Sequence, residues 1–382
     1  MRYVLVALLA VHGLIHLLGF VKAFGRAGVS ALKQPISRPV GVLWLMAAVL
    51  LVTAAVLVAA VPGTWWGPAL VGVALSQVLI ITSWSDAKFG TVANVLLAVP
   101  LVVSLLGLRE SSYPRVYERA VAEALADVKP QPVLKDEDLQ PLPPVLQKFL
   151  RRVGVVGQPR VQNFRITWNA KMRQSPDSAW MTAPTEQVNT VEPVRRLFLM
   201  KASMLGVPFV ALHRYLGTEA TMEVKAAELV TVADARGETM SRSETVTVLN
   251  DFCLMAPGAL VDPRFTFSDA AEREVTVTFT NGPHVVSARL FFNEDGDLVN
   301  FRSEHRFKSA DGTKYENFPW STPVSGYVTK RGLRLPKVGE AVWHEPGGDW
   351  TYGVFELVDV EYNLSLARSG EEEKTPLSAV HR

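Results

Sequence analysis

Four apolar runs crowd the first 108 residues, and they constrain the fold more than anything that follows. They cover residues 3–20, 40–61, 68–84 and 89–108, and each has the composition of a bilayer-spanning segment. The last, FGTVANVLLAVPLVVSLLGL, is the clearest. At ~1.5 Å per residue such a helix reaches roughly 30 Å, the thickness of the hydrocarbon core. Lipid offers no partner to a backbone N–H, so each run must be helical. Arg2 followed by the first run has the look of a signal peptide. No small-residue cleavage site follows, however, and further spans do, so the first helix is expected to be retained.

Short loops rich in Lys and Arg stay in the cytoplasm. Residues 21–39 carry Lys22, Arg26, Lys33 and Arg38 with no acid, whereas the turn PGTWWG carries no cation. Four spans then place both ends outside, against the opposing count of Arg109, Arg115 and Arg119 just past the fourth span. Trp65, Trp66 and Trp84 suit the interfacial aromatic belt. Within the spans His12 and His16 share a helix face, where Gln77 and Asn94 can meet them. A haem clamp needs a histidine from a facing span, and none has one, so interhelical hydrogen bonding is the expected role. Ser85-x-x-Lys88 lacks the companion motifs of a penicillin-binding enzyme.

Beyond residue 108 the apolar excess ends. Residues 113–128 space Val116, Ala120, Val121, Ala124 and Leu125 as an amphipathic helix that can lie on the membrane or on the soluble domain. KPQPVLKDEDLQPLPP reads as an extended linker, and residues 144–152 as a short helix. The period then becomes two: Phe164, Ile166, Trp168, Ala170 and Met172 alternate with polar neighbours, and similar stretches recur to residue 362. Asn281-Gly282, Asp311-Gly312, Arg331-Gly332 and Gly347-Gly348 are hairpin chemistry, so the strands are antiparallel neighbours. One helix interrupts them: Ser241 to Glu244 forms a capping box, and Val248, Leu249, Phe252 and Met255 form a stripe ending at Pro257-Gly258. The expected architecture is a membrane four-helix bundle plus an α+β soluble domain, a large curved antiparallel sheet, half-barrel-like, with one or two covering helices. Its parts are residues 1–108, the bundle; 109–159, amphipathic helix, linker and short helix; 160–363, the β-rich domain; and 364–382, a disordered tail.

Lys plus Arg number 39 against 37 Asp plus Glu, a formal charge of +2 that excludes nucleic acid as an expected partner. The single cysteine, Cys253, excludes an intrachain disulfide and a thiolate-rich metal site, and suits a core position better than a nucleophile. There is no nucleophile elbow, HExxH or phosphate loop, so no catalytic residue, metal or cofactor is assigned. What remains are clusters. Glu244 and Asp251 from the helix can meet His213 and Arg306 from strands, next to an aromatic set from which Trp320, Trp343 and Tyr352 are the candidates for lining a ligand groove.

Several runs carry a resemblance: HGLIHLLGF, QPISRPVGVLWL and SWSDAKFGT before residue 108, and LNDFCLMAPGAL, FPWSTPVSGY and GEAVWHEPGGDWTYGVFELVDVEYN after it. Together they resemble a bacterial membrane-anchored family with a conserved domain of unknown function. The soluble part is similar in plan to the LolA-type lipoprotein carriers, a curved antiparallel sheet with helices in its concave face. That resemblance implies an extracytoplasmic domain holding acyl chains or another apolar ligand. The expectation is therefore a multi-pass protein of the inner (plasma) membrane, with the lipid bilayer as partner and an outer module that binds a lipid or other apolar ligand. The alternatives are an enzyme built on Glu244, His213 and Arg306, and a membrane interaction or assembly protein.

Overall fold

The computed structural model describes residues 2–25, 29–126, 128–204, 207–309 and 311–365. The chain divides into two compact units, one running through Ser112 and the other beginning at Tyr113.

In the first unit, α1 (Arg2–Ala23), α2 (Arg38–Ala60), α3 (Trp66–Thr82) and α4 (Gly90–Gly107) follow the four apolar runs. Three of them, α1, α2 and α4, are long and apolar enough to cross a membrane, and α3 has 17 residues. The expected membrane four-helix bundle is thus met in part: three helices have the length of a span, and α3 follows its run but is shorter. The expected third run breaks at Ser83, where φ is −118°, and one further helical turn, Trp84–Ala87, follows. Asp86, in that turn, accepts the backbone N–H groups of Lys33 and Gln34 at 2.6 and 2.8 Å and ties down the α1–α2 connection. The unit is apolar outside, with Val11, Ile15, Val49, Val56, Ile81 and Val99 more than half exposed. Inside, leucines such as Leu9, Leu51 and Leu97 pack with small residues and a few polar groups. Gly19 lets the Trp44 ring lie where a Cβ would stand 2.2 Å from it. His12 Nε2 bonds to Asn94 Oδ1 at 2.9 Å and Ser76 Oγ at 3.1 Å, and Asn94 Nδ2 donates to Gln77 at 2.9 Å. His12, Gln77 and Asn94 thus meet as expected and join α1, α3 and α4, whereas His16 does not meet them, its Nδ1 bonding the His12 carbonyl of its own helix.

The second unit opens with α5 (Tyr113–Ala124) and α6 (Pro144–Val153), and the rest is built on a 15-stranded antiparallel sheet with one long helix, α7 (Glu238–Met255). Its longer strands are β1 (Asn163–Met172), β2 (Thr185–Thr190), β3 (Arg195–Met204), β4 (Val207–Leu216), β5 (Glu219–Ala226), β6 (Val230–Ala235), β7 (Phe265–Ser268), β8 (Glu274–Asn281), β9 (His284–Phe292), β10 (Leu298–Ser303), β11 (Trp320–Ser321), β12 (Val338–Glu345) and β13 (Gly348–Tyr362). Their order is β6-β5-β4-β3-β2-β1-β13-β12-β11-β10-β9-β8-β7. The chain thus starts at the middle of the sheet, meanders out to one edge, crosses by α7 to the other edge, and meanders back to pair β13 with β1. Tight turns explain the meanders: Arg331 and Gly332, both at positive φ, close a two-residue hairpin, and Gly282, at positive φ, with Pro283 closes the one between β8 and β9, where Asn281 pairs with His284.

Alternation along β1 holds as the sequence implies, with Phe164, Ile166, Trp168 and Ala170 buried. Phe252 on α7 meets Phe265 and Phe279 edge-on, each at 5.9 Å, and fixes the helix in the curve of the sheet. The α7 start departs from expectation. The helix begins at Glu238 behind Gly237, and Ser241 lies within it, accepting the Ala220 N–H at 3.0 Å in place of capping. Docking to β5 takes that hydroxyl, so the capping box does not form. The Pro-rich stretch is also no free linker: Leu134 and Leu139 are buried in the core, and Val133 bridges Pro159. Helix α5 lies on the domain, its Tyr113, Tyr117 and Val121 packed against Val188, Leu197 and Leu212 on the sheet face away from α7. Leu364, first residue of the expected tail, exchanges hydrogen bonds with Asn163, and residues 366–382 lie outside the described residues.

Asp297 staples three elements, accepting bidentate contacts from Arg152 of α6 and from Arg334 at 2.7–3.0 Å. Its burial alone would raise the carboxyl, but the two guanidinium groups win and hold it well below the usual range. A carboxyl depressed on folding stabilises above its unfolded pKa, and that contribution is lost as pH falls through the folded value. Asp297→Asn is expected to lower the urea midpoint at neutral pH and to flatten the acid limb of the stability profile. Phe252→Ala leaves a cavity at the α7 contact and is expected to cost ~3–5 kcal/mol in the same measurement.

Candidate functional site

Helix α7 cannot fill the concavity. Along one flank of it runs a groove of about 540 Å³, bordered by β1 to β6 on one side and β11 to β13 on the other. All of the candidates from sequence, His213, Glu244, Asp251, Arg306, Trp320, Trp343 and Tyr352, border this one groove.

The groove has two kinds of wall. The flank of α7 is polar, because Ser243, Glu244, Thr247, Asn250 and Asp251 recur there at helical spacing while Leu249, Phe252 and Cys253 face the core. Arg196 of β3 is buried between the two acids: its Nε donates to Asp251 at 2.8 Å and its Nη1 to Glu244 at 3.2 Å. Asp251 also accepts Gln187 Nε2 at 2.6 Å and Asn189 Nδ2 at 3.0 Å. Burial raises the Glu244 carboxyl, but Arg196, His213 and Arg306 together hold it below its ordinary range. Burial wins at Asp251 and pushes it up despite Arg196. Thr322 accepts Asn250 Nδ2 at 2.5 Å.

The remaining walls are aromatic and Met-rich. Trp343 and Tyr352 stack at 5.8 Å, the Tyr352 hydroxyl accepts Trp320 Nε1 at 3.2 Å, and the Arg306 guanidinium lies 4.1 Å over Trp320. Arg306 reaches α7 through Thr247 and stands 3.8 Å from Glu244. Phe198, Met200, Met222, Met240 and Leu254 complete the apolar lining. His213 packs on Phe198 at 5.3 Å, and burial beside two guanidinium groups pushes its pKa down to about 4 against the pull of Glu244. Its Nδ1 is buried without a hydrogen-bond partner.

His213, Glu244 and Arg306 do come together, yet the two acids are already held by Arg196, which the sequence reading did not single out. Its signal was legible: Arg196 is in phase with Phe198 and Met200 on a buried strand face, a place where arginine appears only with partners. Gln187 and Asn189 on β2 carried no such signal, because Thr185, Gln187 and Asn189 read as a solvated strand face. Cys253 is a core residue, fully buried, its thiol pushed up by burial. Among the described residues no group of His, Cys, Asp and Glu could hold a metal ion.

Residues 132–355 match the family of unknown function DUF6544. The chain belongs to that family. No curated protein matches its sequence. Among solved structures it is similar to a putative outer membrane lipoprotein-sorting protein domain from Vibrio parahaemolyticus, at 10% identity and TM-score 0.33 over 60% of this chain and 95% of that one. It is also similar to a DUF1329 family protein from Desulfovibrio piger, at 11% identity and TM-score 0.33 over 58% and 93% of the chains. A LolA superfamily protein from Nitrosomonas europaea aligns at 10% identity and TM-score 0.32 over 57% and 91%.

Two outcomes test the site. Arg196→Ala strands two buried acids and is expected to cost ~3–5 kcal/mol in denaturant titration, whereas Arg196→Met with Glu244→Gln and Asp251→Asn recovers most of that loss. His213 binds a proton more readily unfolded than folded, so its contribution is full above about pH 6.5 and is lost as pH falls toward 4. The melting temperature is expected to fall across that window, and His213→Gln to show a smaller fall.

Proposed function

We propose that this DUF6544 protein is a membrane-anchored, extracytoplasmic module that binds a lipid or another apolar ligand in the groove beside α7. The observation that carries the reading is the groove itself. Its volume is in the range of small-molecule sites, roughly 300–1,000 Å³, and its lining pairs a broad apolar wall with a few fixed polar groups. Methionine suits such a wall because its unbranched side chain adapts to ligands of uneven shape. His213, Arg306 and the Trp320–Trp343–Tyr352 set are assigned to ligand contact, with Glu244 and Asp251 fixing the polar flank through Arg196. The helices of the first unit supply the anchor. Their outward faces are apolar and their inward faces carry the hydrogen bonds, the reverse of a water-soluble bundle. Counting α3 as a crossing, the cation-rich residues 21–39 support a cytoplasmic connection between α1 and α2, and the second unit is assigned to the outer side of the plasma membrane.

Native mass spectrometry of the full chain released from detergent is the test. Bound lipid is expected on the wild-type chain. Met222→Trp, which fills the groove, is expected to remove it without changing the melting temperature by more than a few degrees. Equal lipid occupancy in both, or none in either after extraction in mild detergent, counts against the reading. A reporter fused after residue 382 is expected to be active only when it works outside the cytoplasm.

A further inference from the structure

One end of the sheet gathers three features that nothing above explains. The first is the point where the chain enters the second unit. Tyr113 lies under the Lys225 ammonium at 4.2 Å, at the β6-proximal end of β5, and α5 runs from there toward Arg195, whose Nη1 donates to the Glu123 carbonyl at the opposite end. The second is an exposed part of the groove lining. Gln174 is the exposed residue among those bordering it, and it follows β1 at the end where Met172 pairs with Gly353. The third is exposed apolar surface. Met204 and Val207, at the close of β3 and the start of β4, are 37% and 43% exposed, and Leu229 and Val230, between β5 and β6, are each 60% exposed. The pairings Met204 with Val207 and Ala226 with Val230 set these residues at the same end as Met172.

Residue 113 is six positions past Gly107, where α4 ends, and six extended residues reach ~20 Å at most. The covalent connection therefore limits how far Tyr113 can lie from the end of α4. Large apolar side chains left in water on hairpin ends at that place have one partner always within reach. We propose that Met204, Val207, Leu229 and Val230 dock into the interface of the bilayer that holds α1 to α4, so that the groove opens toward the membrane. This rests on the membrane anchoring proposed above but not on the groove being filled. An apolar ligand then passes between bilayer and groove without exposing its methylenes to water.

The test uses the full chain in nanodiscs containing spin-labelled lipid. Val49→Cys, Val207→Cys, Leu216→Cys and Leu229→Cys are each labelled with an environment-sensitive fluorophore; Cys253 is fully buried and serves as the unlabelled background, checked on the wild-type chain. Val49 reports anchoring by α2. Leu216, 46% exposed at the far end of β4, is the exposed apolar control. The expected result is strong quenching at 49 and severalfold more quenching at 207 and 229 than at 216. Quenching at 49 with 207 and 229 no different from 216 overturns the docking and leaves the anchoring intact. No quenching at 49 overturns the anchoring on which the docking depends. Label-to-label energy transfer at 229 in discs holding two copies, with no lipid quenching there, overturns the docking in favour of a contact between copies.

Discussion

The ion cluster of Arg196, Glu244 and Asp251 is the contact on which the second unit depends. A helix that crosses the concave face of a sheet is surrounded, and α7 is buried along nearly its whole length. Its apolar side solves half of that problem against Phe265 and Phe279. The other half is a stripe of buried acids, amides and hydroxyls, which is costly unless every charge finds a partner. Arg196, Gln187 and Asn189 supply those partners from β2 and β3, and Thr322 supplies one from beside β11. The crossing is thus pinned to both halves of the sheet.

Such a crossing has a geometric consequence. One helix is about 10 Å wide with its side chains, and a half-barrel of this many strands is wider than that. The face not covered by α7 must be lined by the sheet's own inward side chains. On this chain those are Phe198, Met200, Met222, Trp343, Tyr352 and Phe355, and they border a groove instead of closing a core. The convex face of β2 to β4 is covered differently, by α5, whose Tyr113, Tyr117 and Val121 pack on the apolar side chains Val188, Leu197 and Leu212.

Much of this was legible in the sequence. Period-two runs such as residues 164–172 announce strands, and Asn281-Gly282 and Arg331-Gly332 announce hairpins, because turn chemistry and side-chain alternation are local properties. The seven candidate residues were legible for a weaker reason: charged and aromatic residues out of phase with a solvated face have few places to go. What stayed hidden is what depends on tertiary packing. The short strand β11 and the strand β2, whose Gln187 and Asn189 look like surface residues, take their character from α7. Ser241 reads as a cap until β5 is known to sit beside it. The break at Ser83 is set by the loop that Asp86 must reach, at Lys33 and Gln34, and no hydropathy pattern shows it.

The central claim is that the uncovered part of the concave face is a site for an apolar molecule. Photocrosslinking tests it most directly: the full chain in native membranes is illuminated with a diazirine-bearing acyl lipid, and adducts are mapped by peptide mass spectrometry. Adducts on Met200, Met222 and the Trp343–Tyr352 wall, lost on competition with unlabelled lipid, are the predicted result. Adducts confined to α1 through α4, with the groove residues unmodified, would contradict it.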